Sequence, residues 1–396
     1  LKIETMRYNF DKVIDRSGTS AEKVEGLKHI WGRTDLIPLW VADMDFATAP
    51  FVTDAIRKRC ENEVLGYTGK PDSYYNAIIN WVKQRYDLVV AKEMINFVPG
   101  IVPGIGMAMN CFTQKGDKVM IQPPVYHPFA WVTTRNERTL VTNPLKWENG
   151  MYRMDLDTFR EQIKGCKLFI LCNPHNPGGV VWTEAELRAI ADICYDEKVL
   201  VFSDEIHADL TLPPHTHRPF ATVSEKARMN SVTFMSPSKA FNMPGLSASH
   251  ALIFNEDLRK RFRIYMDAGE LDMGHVFAFL SVEAAYSHGT EWLDQCLAYI
   301  QGNIDFVDDF LKNHAPKIKA IRPEASYLVW LDCRELKLSQ KDLNEFFVDK
   351  AHLALNDGEM FGKEGIGFMR LNVASPRCII EKAMKQLADA YQLYIK

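Results

Sequence analysis

One lysine, Lys239, lies in an unusual setting for a charged side chain. It belongs to the stretch Ser-Pro-Ser-Lys-Ala-Phe-Asn at 236–242, directly after an apolar run at 232–235, and no carboxylate lies within three positions on either side. Burial disfavours the ammonium form, lowers the pKa of a lysine and yields a free amine, which is a nucleophile suited to forming a Schiff base. A solvated turn lysine fits this stretch equally well, so the rest of the chain has to decide.

Asn176 and Asp204 each follow an apolar run of their own. The run at 167–172 is followed by Asn-Pro-His-Asn-Pro-Gly-Gly, which contains Asn176, and the run at 199–203 is followed directly by Asp204. Taken alone, an Asn-Pro pair marks a turn, and an aspartate at such a place caps a helix or a turn. Their meaning therefore depends on whether the fold brings them to Lys239.

Five apolar runs predict the elements that position these side chains. Continuous apolar runs are typical of strands buried on both faces of a mainly parallel sheet. Thr183 and Glu186 form a capping box for a helix that connects the third run to the fourth, which gives a βαβ unit. Because ligands bind beyond the carboxyl ends of such strands, we expect the polar residues there to form one site. The runs are 95–98, 118–121, 167–172, 199–203 and 231–235.

The remaining sequence predicts helices around this core and a second group of strands. Residues 1–50 are expected to be irregular, and a turn at 66–69 presents Tyr67. The predicted helices are 50–63, 72–86, one from Gly104 to Phe112, 291–314 and 376–394, and the later strands are 327–331 and 368–373.

Composition limits the class of protein. The 396 residues suffice for one large domain with a smaller companion. A net charge of −4 gives no general attraction to nucleic acid or to an acidic membrane surface, and no apolar run reaches membrane-spanning length. The eight cysteines form no C-x-x-C pair, and residues 1–5 carry no targeting signal. We therefore expect a cytoplasmic protein in a reducing compartment.

Three motifs in order carry a family resemblance. Asn-Pro-His-Asn-Pro-Gly, Ser-Asp-Glu and Ser-Pro-Ser-Lys resemble the fold-type I pyridoxal-phosphate (PLP) enzymes, the class I/II aminotransferase superfamily. The stretches 203–210 and 40–46 resemble the MalY/PatB branch of cystathionine β-lyase-like C–S lyases. The likeness covers roughly the whole chain.

The resemblance implies a complete fold and assembly. It implies an α/β fold with three α/β/α layers around a mainly parallel seven-stranded sheet, and a smaller α+β domain. The implied domains are 1–50 as an N-terminal arm and part of the small domain, 51–288 as the large PLP-binding domain and 289–396 as the small C-terminal domain. It also implies a homodimer in which Tyr67 reaches the neighbouring active site.

The resemblance also implies how the cofactor ring is held. Lys239 binds the aldehyde of pyridoxal 5'-phosphate and later removes the Cα proton of the substrate, while Asp204 pairs with the pyridine nitrogen. Asn176 donates to the phenolic oxygen and contributes to the substrate site, and Tyr126 stacks on the ring. His207 occupies the position where dicarboxylate aminotransferases have a tyrosine, and this matches the lyase branch.

The phosphate and the substrate carboxylate have their own implied residues. Backbone N–H groups at a helix start and nearby hydroxyls suit a phosphate, and a planar guanidinium suits a carboxylate. Many relatives have a phosphate-binding arginine eight positions after the lysine, where this chain has Ser247. The implied phosphate residues are Gly100, Ile101, Val102, Ser236, Ser238 and Tyr67, and the implied substrate residues are Arg370 and the backbone at Ala42.

Several alternatives remain open at this point. A zinc site among Asp204, Glu205, His207, His215 and His217 has no compact ligand spacing, and the glycines at 100–106 lack a complete nucleotide-binding motif. A non-catalytic binding or regulatory relative would keep the fold alone. Among enzymes, we expect β-elimination from cystathionine or S-substituted cysteines, and transamination of an amino acid is the alternative.

Overall fold

The computed structural model of the protein describes residues 8–395. The expectation that the chain starts without a targeting signal concerns residues that lie outside this range. Within it, the strands are β1 (Ile37–Pro38), β2 (Ile95–Val98), β3 (Lys118–Ile121), β4 (Thr139–Thr142), β5 (Lys146–Glu148), β6 (Met151–Arg153), β7 (Cys166–Cys172), β8 (Leu200–Asp204), β9 (Ser231–Met235), β10 (Ser249–Leu252), β11 (Lys319–Ile321), β12 (Leu328–Asp332), β13 (Leu353–Ala354), β14 (Asn356–Asp357) and β15 (Phe368–Asn372).

The helices surround two groups of these strands. In chain order they are α1 (Glu22–Trp31), α2 (Pro50–Cys60), α3 (Asp72–Tyr86), α4 (Ile101–Phe112), α5 (Pro128–Arg135), α6 (Leu156–Gln162), α7 (Glu184–Asp196), α8 (Glu225–Met229), α9 (Glu256–Ala268), α10 (Val276–His288), α11 (Thr290–His314), α12 (Gln340–Glu345) and α13 (Arg377–Tyr394).

The chain forms two compact units. The large unit comprises Ala49–Gly289 and Glu324–Ser326. The small unit comprises the described residues before Ala49, Thr290–Pro323 and the described residues from Tyr327 onward.

A seven-stranded sheet organises the large unit. Its strand order is β2-β10-β9-β8-β7-β3-β4. All neighbouring pairs are parallel except those of β10, which is antiparallel to both β2 and β9. The strands β2, β7, β8 and β9 are buried along almost their whole length, as the continuous apolar runs predicted. The predicted seven-stranded, mainly parallel sheet is therefore confirmed.

Helices cover this sheet through buried apolar stripes. Helix α7 starts with the predicted capping box, in which the Thr183 hydroxyl accepts the Glu186 N–H at 3.2 Å and Glu186 Oε2 accepts the Thr183 N–H at 2.8 Å. Ile105 and Met109 of α4 pack into a core that also contains Val98 and Phe234. The helices thus fix the strand ends that precede the loops of the site.

The small unit is built on an antiparallel sheet. Its order is β11-β12-β15-β14, and Arg370 of β15 lies opposite Trp330 of β12 and Asn356 of β14. Helices α11 and α13 pack together in this unit. The predicted long helix and C-terminal helix therefore appear close to their expected bounds.

Two predictions about local structure are wrong. Residues 22–31 were expected to be irregular, but they form α1. No apolar stripe predicts this helix, since only Lys23, Gly26 and Leu27 of it are buried. Helix α4 begins at Ile101 rather than at Gly104. Pro103 is compatible with this start because it lies in the first turn, where a backbone N–H would have no partner within the helix. In the part of the chain that the structure describes, no helix is long and apolar enough to cross a membrane.

Candidate active site

The carboxyl ends of β7, β8 and β9 lie side by side. Cys172 at the end of β7 pairs with Asp204 at the end of β8, and the Asn173 N–H donates to the Asp204 carbonyl at 2.9 Å. On the other side, Asp204 pairs with Phe234 of β9. Asp204 therefore ends one strand, and Asn176 and Lys239 follow the two neighbouring strands, so all three lie at one edge of the sheet, as the sequence predicted.

Asp204 is a buried carboxyl group with a raised proton affinity. Its exposed fraction is 4%, and its Oδ1 accepts the Ile206 N–H at 3.1 Å. Burial raises its pKa to about 7, the charge of Glu205 adds to that shift, and the Ile206 N–H and the positive charge of Lys239 oppose it. Lys239 is therefore near enough to interact electrostatically with Asp204. A cation placed against this carboxyl would stabilise its ionised form.

Tyr126 and Asn176 are joined through their backbones. The Tyr126 N–H donates to the Asn176 carbonyl at 3.1 Å, which connects the loop after β3 to the loop after β7. Asn176 is buried, whereas Tyr126 is half-buried and packs edge-on against Phe129. Burial lowers the pKa of the neighbouring His175 to about 4, so its ring is neutral at physiological pH and its Nε2 contacts the Pro124 carbonyl at 2.9 Å.

The start of α4 presents backbone N–H groups beside this edge. Gly100 precedes the helix with φ of +130°, a conformation that a side chain rarely adopts. Ile101 and Val102 form the first turn, and among the described residues no side chain caps this helix. The first N–H groups of a helix have no partner within it, so they suit an anion.

The two serines near Lys239 are bonded mainly to each other and to the backbone. Ser236 Oγ donates to the Ala248 carbonyl at 2.8 Å and lies 2.9 Å from Ser238 Oγ. The Ser238 N–H donates to Ser236 Oγ at 3.1 Å. These contacts fix the turn that carries Lys239. Ser247, at the position of the arginine in many relatives, is exposed and has φ of +46°.

Sequence reasoning missed a buried polar network that follows β8. Glu205 accepts hydrogen bonds from the Ser203 hydroxyl at 2.8 Å and the Phe220 N–H at 2.8 Å, and it pairs with His217 Nε2 at 2.9 Å. His207, two positions after Glu205 in the sequence, is also buried. The described residues contain no group of three or more His, Cys, Asp or Glu side chains that could hold a metal ion, so the five residues of the zinc alternative do not form such a group.

Asp209 is a second buried carboxyl group beyond β8, and its hydrogen-bond partners lie on α3. It accepts the Trp81 Nε1–H at 3.0 Å and the hydroxyl of Tyr86. The available sequence signal was a stretch with five polar residues out of seven, Ser-Asp-Glu-Ile-His-Ala-Asp, at the end of a buried strand. Polar residues in such a place need partners, but the sequence does not say which.

Arg370 is a buried cation of the small unit. Its exposed fraction is 4%, and its Nη2 donates to Asn356 Oδ1 at 2.5 Å and to the Trp40 carbonyl at 3.1 Å. The guanidinium carbon lies 4.8 Å from the Phe361 ring centroid. Ala42 lies in the same unit, where its carbonyl accepts the Tyr327 hydroxyl at 2.9 Å. The backbone near Ala42 and the guanidinium of Arg370 are thus held in one unit.

Tyr67 has a very different environment from the other predicted site residues. Its exposed fraction is 99%, and it lies in a segment without helix or strand between α2 and α3. Val64 and Leu65 of the same segment are also exposed. The site within this chain therefore gains nothing from the Tyr67 side chain.

Similarity to known proteins defines this chain as a fold-type I enzyme. Residues 34–387 match the family described as Aminotransferase class I and II. The chain belongs to this family. This match confirms the family that the sequence motifs indicated and the fold class predicted from it.

Individual relatives narrow this assignment. Cystathionine beta-lyase PatB of Bacillus subtilis is 38% identical over 96% of this chain and 99% of its own length. Protein MalY of Escherichia coli is 31% identical over 97% of this chain and 98% of its own length. The structure of a PLP-bound C–S lyase from Staphylococcus hominis is 36% identical, has a TM-score of 0.90 and covers 98% of both chains. All three match the chain nearly from end to end.

Proposed function

We propose that this enzyme is a PLP-dependent C–S β-lyase that cleaves cystathionine or S-substituted L-cysteines to a thiol, pyruvate and ammonia. The predicted cofactor and class of enzyme are confirmed by relatives that are named cystathionine beta-lyase or are solved as a PLP-bound C–S lyase. The structural observation that supports this proposal is that the buried carboxyl of Asp204 lies close to the charge of Lys239 at the sheet edge.

The donor set at this edge fits pyridoxal 5'-phosphate. A buried carboxyl whose pKa is raised to about 7 is costly to ionise alone, and a protonated ring nitrogen would compensate its charge. The uncapped start of α4 supplies N–H groups for a phosphate. We propose that Lys239 binds the aldehyde, Asp204 the ring nitrogen, and Gly100, Ile101 and Val102 the phosphate.

The remaining cofactor contacts are proposed around this frame. Asn176 donates to the phenolic oxygen, Tyr126 stacks on the ring and also acts in catalysis, and His207 lies beside the ring. The Ser236 and Ser238 hydroxyls are shared between the phosphate and the turn that they already stabilise. Residues 51–288 form the proposed large PLP-binding domain, and 289–396 with part of 1–50 form the small one.

The chain's own residues divide the reaction between them. When bound, the cofactor supplies a ring that withdraws electrons from the substrate Cα. Lys239 Nζ accepts the Cα proton as general base, and Asp204 holds the positive charge that keeps the ring electron-poor. Arg370 binds the substrate α-carboxylate, with the backbone at Ala42 and with Asn176. The electron pair of the Cα–H bond forms a Cα=Cβ double bond while the C–S electron pair leaves with the thiolate, and water then hydrolyses the released enamine to pyruvate and ammonia.

Elimination is favoured over transamination by one residue and by the relatives. His207 stands where dicarboxylate aminotransferases have a tyrosine, and this chain shares 38% of aligned residues with a cystathionine beta-lyase. The proposed substrate is therefore a small amino acid with a sulfur leaving group at Cβ.

We propose that the enzyme is a cytoplasmic homodimer in which Tyr67 reaches the phosphate of the neighbouring subunit. The exposure of Tyr67 supports this, since 99% of its surface is available to a partner. The eight cysteines are all free thiols, which supports a reducing compartment. Neither a nucleic acid nor a membrane is a proposed partner.

Incubation of the holoenzyme with L-cystathionine tests the proposal. Without a keto acid, we expect many turnovers of thiol and pyruvate per active site. Turnover that begins only after 2-oxoglutarate is added would instead establish the aminotransferase alternative.

A matched variant ties this activity to the site. Lys239→Ala should lose activity by several orders of magnitude and should no longer be covalently labelled after borohydride reduction. A wild-type protein that stays colourless with added cofactor, and that borohydride does not label, would establish the non-catalytic alternative.

A further inference from the structure

Glu205 is a buried acidic side chain directly after Asp204. Its exposed fraction is 1%, and its backbone N–H donates to the Phe234 carbonyl at 2.9 Å, so the pairing of β8 with β9 continues through this residue. Because successive side chains along a strand point to opposite faces of a sheet, Glu205 and Ser203 share the face opposite to that of Asp204. Glu205 is thus fixed on the far side of the strand end that carries Asp204.

Three hydrogen-bond contacts hold the Glu205 carboxylate. The Ser203 hydroxyl and the Phe220 N–H both donate to Oε1 at 2.8 Å, and His217 Nε2 lies 2.9 Å from Oε2. His217 Nδ1 is buried and has no hydrogen-bond partner among the described residues, which fits the form of the ring that carries its proton on Nε2 and donates to Glu205. Three donors around one buried carboxylate suit a negative charge.

These contacts by themselves do not require an acid at position 205. The oxygen of a glutamine could accept both 2.8 Å bonds, and its NH₂ group could donate to His217 Nε2 once that ring carries its proton on Nδ1. Burial of a charge is costly, so the acid differs from the amide mainly in the field that it produces. That field reaches Asp204, since the charge of Glu205 contributes to the raised pKa of Asp204.

A second negative charge beside Asp204 strengthens the attraction for a cation in front of it. Asp204 alone supplies one charge and one hydrogen-bond acceptor to the ring nitrogen in the proposed function. Glu205 adds its charge from the other face of the same strand end, where both groups are almost completely shielded from water. Charges interact more strongly in such a place than in solvent.

We propose that Glu205 is a positioning residue whose charge, acting through Asp204, holds the proton on the ring nitrogen of the cofactor. Glu205 itself touches neither the cofactor nor the substrate. The inference rests on the proposed function, because it takes Asp204 as the partner of the ring nitrogen. Its consequence is selectivity for a cofactor whose ring can carry a proton over one whose ring cannot.

Two forms of the cofactor test this selectivity without any turnover. Pyridoxal 5'-phosphate and its 1-deaza analogue, in which a CH group replaces the ring nitrogen, have the same aldehyde and phosphate. Titration of the cofactor-free chain with each, followed by the absorption band of the bound aldehyde, gives both affinities. For Glu205→Gln we expect about a tenfold loss of affinity for pyridoxal 5'-phosphate, the effect of about one pKa unit on a proton equilibrium, and an unchanged affinity for the analogue.

Asp209 provides a matched control in the same unit. It is also buried, and its carboxyl accepts the Trp81 Nε1–H and the Tyr86 hydroxyl, but its charge does not contribute to the raised pKa of Asp204. Asp209→Asn, like Glu205→Gln, replaces a buried carboxyl by an amide of the same shape. It should leave the ratio of the two affinities at the wild-type value.

Asp204→Ala supplies a second test if Glu205→Gln does not fold. It removes the direct partner of the ring nitrogen and keeps Glu205, so we expect a remaining preference of about threefold for pyridoxal 5'-phosphate over the analogue. Equal affinities in Asp204→Ala, a wild-type ratio in Glu205→Gln, or equal changes of the ratio in Glu205→Gln and Asp209→Asn would overturn the role of Glu205 alone. A wild-type chain that does not bind pyridoxal 5'-phosphate, or that binds both forms equally, would contradict the proposed function itself.

Discussion

The raised pKa of Asp204 predicts a specific pH dependence for the stability of the cofactor-free enzyme. Burial moves this pKa from its ordinary value of 3.8 to about 7 in the folded protein. Between these two values the folded state binds a proton that the unfolded state has released. The free energy of unfolding must therefore fall as pH rises through this range, and the loss is complete above the folded pKa.

The magnitude follows from the size of the shift. The interval from 3.8 to about 7 corresponds to about 4 kcal/mol in total, at roughly 1.4 kcal/mol per pKa unit. About two of these units lie above pH 5, so the wild-type enzyme should lose about 3 kcal/mol from this source between pH 5 and pH 8. Asp204→Asn has no such titration and should lose none of it.

Urea unfolding of the cofactor-free proteins at pH 5 and pH 8 measures the effect. The quantity of interest is the change in the wild-type minus Asp204→Asn difference between the two pH values, which cancels the groups that both proteins share. A difference that stays constant with pH would refute the reasoning, because Asp204 would then have the same pKa in both states.

Asp332 is a suitable control because it also ends a strand but has the opposite shift. Burial acts to raise its pKa, but the hydrogen bonds and charge of Arg334 outweigh burial and lower it. Its stabilisation is present above the ordinary pKa and is lost only as pH falls below it. Asp332→Asn should therefore change the free energy of unfolding equally at pH 5 and pH 8.

Three further changes test the fold and the substrate site. Thr183→Ala removes the cap of α7 and should reduce the free energy of unfolding by about 1 kcal/mol in urea titrations, and no change would contradict the capping box. Gly104→Ala places a Cβ 2.9 Å from Val98 Cγ2, so we expect a loss of about 1–3 kcal/mol despite the better helix propensity of alanine, and a gain would refute the close packing of α4. Arg370→Lys keeps the charge but loses the planar fork, so KM for cystathionine should rise at least about tenfold with a smaller change in kcat, whereas an unchanged KM would exclude Arg370 from carboxylate binding.

Local patterns made much of the large unit predictable. The apolar runs that became β7, β8 and β9 are long enough to identify buried strands without knowledge of their partners. The capping box of α7 is likewise a short-range signal. Helix α1 escaped prediction because it buries little apolar surface, and the start of α4 escaped because glycine and proline are typical of loops.

Hydrogen bonds between distant parts of the chain could not be predicted from local sequence patterns. Trp81 donates to Asp209 across 128 positions, and Asn372 donates to Val41 across 331. A buried polar side chain must find a partner, but many donors and acceptors satisfy that requirement equally. Only the packing of the elements selects one.

The sequence by itself determined which chemical groups follow the strands at one sheet edge: the amine of Lys239, the carboxyl of Asp204 and the amide of Asn176. Residue type and local periodicity are sufficient for that. Tertiary structure alone decided that the pKa of Asp204 is raised to about 7 and that Asn372 donates to the carbonyls of Val41 and Asp43. The raised pKa and the hydrogen bonds of Asn372 both depend on the exclusion of water and on contacts between distant parts of the chain. No short stretch of sequence determines such contacts.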